Sequence, residues 1–212
     1  MNSRTPDSSR SDLDTLGGRL SLLAPHELSA QQIQLRDEIA DTRGVDAAEA
    51  GFTMQLPDGR LIGPFNVYLH VPELGRALRQ WGAATARHDL PEDVQQAAIL
   101  TVGVAWRSEY EIYAHRAEAR HAGLPAEAIE AIIQDDEPTG LSAAALVAHQ
   151  LARALVIDHA VGDELYRRAT EIFGVSDLVA LVNVIGRYMN VAALLACFQI
   201  PVPVDEHVRG QT

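Results

Sequence analysis

Apolar residues recur along most of the chain at steps of three and four and rarely alternate with polar ones, which predicts helices rather than strands. The first firm helix is expected from Ser29, where Ser29-Ala30-Gln31-Gln32 has capping-box spacing, to about Gly44. Residues 44–64 gather Gly51, Pro57, Asp58, Gly59, Gly63 and Pro64, and predict a long loop with a turn at Pro57-Asp58-Gly59 and room for a small hairpin. A short helix follows at Phe65–His70, and Pro72 opens another that runs to about Arg87. From Pro91 the pattern carries one helix through Trp106 and His115 to about Ala122, where Gly123 stops it. Pro125 opens a short helix, Ser142 begins one reaching about Asp158, and residues 163–172 form one closed by Gly174. Ser176 then caps the last helix, to about Phe198. Leu90-Pro91 and Leu124-Pro125 recur 34 residues apart, but the rest of each unit does not match, so the same helix-start chemistry is used twice and no repeat array is read.

The last helix is apolar nearly all round: Leu178, Val179, Leu181, Val182, Val184, Ile185, Val191, Leu194 and Leu195. A membrane span is excluded by Asn183, Arg187 and Asn190 near its middle, since a central Arg alone costs about 2.5–3.5 kcal/mol. A helix apolar on every side is buried, centrally or between subunits. A homo-oligomer (dimer, trimer or hexamer) joined partly through this helix is expected.

Composition agrees. The 212 residues are 47% hydrophobic, drawn mainly from Ala, Leu, Val and Ile, with only 5% aromatic, and suit one all-α core with arms. We divide the chain into a flexible N-terminal arm at 1–24, a compact multi-helix bundle at 25–200 and a tail at 201–212. The net charge of −12 argues against nucleic acid, whose phosphates need a concentrated basic surface. The lone Cys197 cannot form an internal disulfide or a Cys-x-x-Cys pair, and is read as a small core residue. One cysteine and no apparent signal peptide fit a cytoplasmic protein. No glycine-rich phosphate loop and no set of metal ligands is visible, so neither cofactor nor metal is expected.

On the expected helix from Pro91, one stripe reads Ala97, Thr101, Val104, Ser108, Glu111, His115, Ala122. It begins apolar and turns polar without leaving its face, as the floor of a pocket does. A carboxylate and an imidazole at i, i+4 can hydrogen-bond, which raises the basicity of the histidine and fixes its tautomer. Arg107, Glu111 and His115 also make an i, i+4, i+8 series, which on a solvated helix is a charge ladder of little consequence. Spacing alone leaves both open.

The stretch Val102-Gly103-Val104-Ala105-Trp106-Arg107-Ser108-Glu109-Tyr110-Glu111-Ile112-Tyr113-Ala114-His115 resembles the signature helix of the carboxymuconolactone decarboxylase and alkylhydroperoxidase D superfamily. Gly63-Pro64-Phe65-Asn66, His70-Val71-Pro72-Glu73-Leu74 and Ala122-Gly123-Leu124 resemble its flanking blocks, so the likeness spans about residues 25–200. In the redox branch this helix carries Cys-x-x-Cys-x-x-x-His. Here Ser108 and Glu111 stand at the thiol positions, His115 at the histidine, and Gln96 at an upstream glutamate. Without thiolates peroxide has no nucleophile to meet, so peroxidase activity is not expected. The resemblance implies a cofactor-free lyase that decarboxylates a small carboxylated lactone or related oxygenated acid. His115 would transfer the proton, Glu111 would orient it or act as a secondary base, and Gln96 and Tyr110 would donate to the carbonyl. Alternatives are another acid–base reaction (isomerisation, dehydration or lactone opening) or a non-catalytic oligomer that binds a small ligand.

Arg187, the centre of the polar stripe Asn183, Arg187, Asn190, is a candidate anchor for a substrate carboxylate or for an acid of a neighbouring subunit. Arg107 is a second anion anchor, and Ser108 and His70 are candidate pocket walls. His26, His88, His121, His149, His159 and His207 have no local constellation and are expected at the surface.

Overall fold

A computed structural model of the protein describes residues 12–203, and they are all-α apart from one antiparallel bridge, Gln55 to Leu61, which closes a small hairpin around the turn at Pro57-Asp58-Gly59. Residues 1–11 of the expected arm, most of the tail, and His207 lie outside the described residues. The rest of the arm is packed: Leu16 and Leu22 join the core, and Arg19 ties the segment to the end of the chain through Phe198 O (2.8 Å) and Cys197 O (2.9 Å).

The helices are α1 (Ala30–Ile39), α2 (Val45–Ala50), α3 (Pro64–His70), α4 (Pro72–Thr85), α5 (Glu92–Ala105), α6 (Glu109–His121), α7 (Ala126–Ile133), α8 (Ala143–Arg153) and α9 (Asp163–Phe198). Ser29 caps α1 in a formed capping box with Gln32, and Ser142 caps α8 through Ala145 N (3.1 Å). The first helical run does not stop at Gly44. It passes through a π turn, Ala40–Gly44, into α2 and ends at Gly51, whose φ of 82° makes it the left-handed cap.

α5 is the axis of the bundle. Val94, Ala97, Ala98, Leu100 and Val102 are fully buried, and α6, α7, α8 and α9 all pack against it. Small residues at these positions let four neighbours approach one helix.

The helix expected from Pro91 to Ala122 is two helices. Arg107 adopts φ 52°, Ser108 N donates to Gly103 O (2.8 Å) and Arg107 N to Val104 O (2.9 Å), which is a Schellman cap built on an arginine. Only a glycine would have announced it, so the apolar pattern ran across the break. The turn folds α6 back along α5, and the stripe from Ala97 to Ala122 is therefore not one face.

Gly174 (φ 67°, ψ 172°) interrupts α9 where expected. α9 is long and apolar enough to cross a membrane, but half of its most apolar stretch is buried inside the protein. It is not apolar-buried all round. Val184, Ile185, Val191 and Leu195 are inside, whereas Ile172, Val175, Val179 and Val182 face outward, with Val175 64% exposed. Cys197 is exposed rather than in the core, because it lies on the outer face of the last turn.

Candidate active site

α2, α3, α4, α5, α6, α9 and the π turn line a half-open cavity of about 510 Å³, within the range of small-molecule sites. His115, on α6, is at its wall and buried. Its partner is not Glu111. Nδ1 lies 2.8 Å from Gln96 Oε1 and 3.3 Å from Glu118 Oε2, and Gln96 Nε2 donates to Glu118 Oε2 at 2.9 Å. This triangle assigns the proton. The Gln96 amide nitrogen is spent on the carboxylate, so its oxygen faces the ring, and both groups opposite Nδ1 accept. Nδ1 therefore carries hydrogen, and Nε2 keeps its lone pair without a partner among the described residues. The Tyr188 ring meets the imidazole edge-on at 4.7 Å and fixes its plane.

Arg43, from the π turn, completes the array by an ion pair to Glu118 Oε1 and a second to Asp46 at 2.8 Å. Burial pushes the Glu118 carboxyl up, but His115 and Arg43 outweigh it and hold Glu118 well below the usual carboxylate range. Glu118 is thus an anion at neutral pH, placed to stabilise an imidazolium.

Glu111 does something else. It is 1% exposed, lines the same cavity, and neither carboxyl oxygen has a hydrogen-bond partner. Ser108 precedes α6 with Ser-x-x-Glu spacing, yet its buried hydroxyl makes no cap bond. Burial pushes Glu111 far above the ordinary carboxyl value, and the nearby Ser108 hydroxyl and Arg187 charge do not reverse it. Arg187 lines the cavity from α9 with its guanidinium 4.5 Å over the Tyr188 ring and its buried Nε unpartnered.

Tyr110 lines the cavity but commits its hydroxyl to Thr53 O at 3.3 Å, so it is not a donor to a ligand. Its ring packs on Gly63, where a Cβ would sit 2.2 Å from it, which together with φ 65° requires glycine. Gln96 is likewise committed to His115 and Glu118 rather than to a carbonyl. Two candidates lie elsewhere. His70 ends α3 against Ser21 O (3.1 Å), away from the cavity, and Arg107 lines a separate groove with His149. His149 is not a surface residue: it is buried and 2.7 Å from the Thr101 hydroxyl, which itself donates to Ala97 O. His88 is half-buried and 3.1 Å from Asp177. Among the described residues no three of His, Cys, Asp and Glu gather as metal ligands would.

Glu118, Arg43, Tyr188 and Tyr68, the last lining the cavity from α3, were missed. His115 and Glu118 are at i, i+3, which was a usable signal. The other three come from distant segments that only the fold brings in.

The described residues thus form an all-helical bundle around a cavity of mixed lining with an oriented histidine in its wall. Residues 72–154, from α4 to the end of α8, match the model of the carboxymuconolactone decarboxylase family. No curated protein matches the chain. The family segment supplies Gln96, Glu111, His115 and Glu118, while Arg43, Tyr68, Arg187 and Tyr188 come from outside it.

Proposed function

We propose that the protein is an acid–base lyase of the carboxymuconolactone decarboxylase type, acting on a small carboxylated lactone or related oxygenated acid. The observation that carries this is the His115 ring in the cavity wall with Nδ1 against Gln96 Oε1 and Glu118, an arrangement that favours hydrogen on Nδ1 and leaves Nε2 without a partner among the described residues. In such a step the bond to the carboxylate carbon breaks, carbon dioxide leaves, and the electron pair moves into the carbonyl. The His115 imidazolium delivers its Nε2 proton to carbon, and the neutral ring is reprotonated by water. The Glu118 anion stabilises the imidazolium before transfer, and Arg187 offers a charge for an anionic group of the substrate.

The test is carbon dioxide release from a panel of carboxylated lactones, with His115→Ala as the control. Release that depends on His115 supports a lyase. Substrate conversion without release would point to isomerisation or lactone opening by the same histidine.

Thiol chemistry has no place here. Ser108 and Glu111 occupy the positions of the redox pair, and Cys197 does not line the cavity. Peroxide consumption with a dithiol reductant is expected to be absent, and Cys197→Ser to change nothing. Turnover lost in that variant would overturn the non-redox assignment.

We further propose self-association through the outward face of α9. Val175, Val179 and Val182 form a stripe at helical spacing beyond the Gly174 break, with Ile172 exposed just before it, and each such side chain gains about 1.5–3 kcal/mol from full burial. Light scattering at micromolar concentration is expected to give a multiple of the monomer mass, and Val175→Asp with Val179→Asp to lower it. A wild-type monomer would sink this claim.

A further inference from the structure

The least comfortable group in the protein is Glu111. Its two oxygens are buried with no hydrogen bond formed, the nearby Ser108 hydroxyl being unpaired as well, and an ionised carboxylate so placed would have lost its hydration for little in return. The Arg187 guanidinium is in the same cavity, but its Nε is also buried without an acceptor, so the two do not neutralise each other by a hydrogen-bonded ion pair. α5 brings no polar atom to help, because Gly103 faces the Glu111 stem, where a Cβ would be 3.4 Å from Cγ. The cavity therefore has a cationic group with a spare N–H and a carboxyl group with no partner.

We propose that Glu111 and Arg187 act as a selector for the charge pattern of the ligand. Arg187 takes a negative group, and Glu111, as an uncharged carboxylic acid, donates a hydrogen bond to a neutral carbonyl oxygen. The site then takes the monoanion of a carboxylated ester or ketone and rejects the matching dianion, whose second carboxylate would have to share the cavity wall with Glu111. This rests on the cavity being a substrate site.

Three probes of nearly one shape separate the terms: monomethyl succinate (one charge and one ester carbonyl), succinate (two charges) and dimethyl succinate (none). Binding to the full chain is measured by titration calorimetry near neutral pH. The monoester is expected to bind about tenfold or more tightly than either of the others, the size of one charge-assisted hydrogen bond. Arg187→Met should abolish the advantage over the diester. Glu111→Gln, which keeps an N–H donor, should preserve the preference for monoester over dianion, and Glu111→Leu should remove it. Infrared spectra give an independent readout: the wild type should show the carbonyl band of a protonated carboxyl group, and Glu111→Gln should lack it. Equal binding of dianion and monoester, a preference that survives Glu111→Leu, no binding of any probe, or no such band would each overturn the proposal. None of these readouts needs turnover, so a protein that releases no carbon dioxide but shows the ester preference would lose the lyase reading and keep this one.

Discussion

Replacing His115 with alanine is expected to lower turnover by about 10²–10⁴-fold while the helical fold survives, because proton transfer by a positioned imidazole contributes on that scale. Glu118→Gln should cost less. It retains a group near Nδ1 but removes the charge that favours the imidazolium and reopens the choice of tautomer. Gln96→Ala should fall on the same side, since the amide is the closest contact of Nδ1, at 2.8 Å. The order matters more than the sizes: His115 first, its two supports second. Steady-state rates with circular dichroism for each variant decide it. An active enzyme indifferent to His115→Ala would remove the site assignment.

The second large effect is on stability and its pH dependence. Burial keeps Glu111 protonated in the folded chain to well above the ordinary carboxyl range, whereas the unfolded chain ionises it near ~4.3. Above that pH the native state binds the extra proton, so stability falls as pH rises, by about tenfold in the folding equilibrium per pH unit until the native group ionises. Glu118 works in the opposite sense. With its native value lowered, its contribution is present above the unfolded value and is lost as pH falls. Glu111→Gln is therefore expected to melt higher than wild type at about pH 8 and to converge with it toward about pH 5. Denaturant titrations at the two pH values provide the check. Equal pH slopes for variant and wild type would show that Glu111 is charged in the fold.

Most of the helices were legible because their starts are chemically marked. Ser29, Pro64, Pro72, Pro91, Pro125 and Ser142 each stand at or next to an observed helix start, and Gly123 and Gly174 mark a stop and a break. What stayed hidden lacks such marks. Arg107 supplies a left-handed cap without being glycine, so two helices read as one. Glu111 and His115 do stand at i, i+4 on α6, but the imidazole turns to Gln96 and Glu118 instead. The π turn at Ala40–Gly44 continues a helix through a glycine and so carries Arg43 to Glu118. The family-like motif brought His115 and Gln96 into consideration together, and the structure places them in contact. Tyr188 and Arg43 could not be anticipated, because α9 reaches the cavity through its packing on α5 and the π turn through α1 and α2. The aromatic at 188 was in plain view, but nothing in its spacing linked it to a histidine 73 positions earlier (188 minus 115).

Proton transfer by His115 requires that Nε2, and not Nδ1, face the cavity. Nitrogen-resolved magnetic resonance of the labelled imidazole, followed from acid to alkaline pH, reads this directly. On deprotonation the ring is expected to settle as the Nδ1–H tautomer, with an unprotonated Nε2 whose shift responds to ligand in the cavity. Gln96→Ala should blur that preference into a mixture. A wild-type ring that settles with hydrogen on Nε2 and a bare Nδ1 would contradict the arrangement on which the proposed chemistry depends.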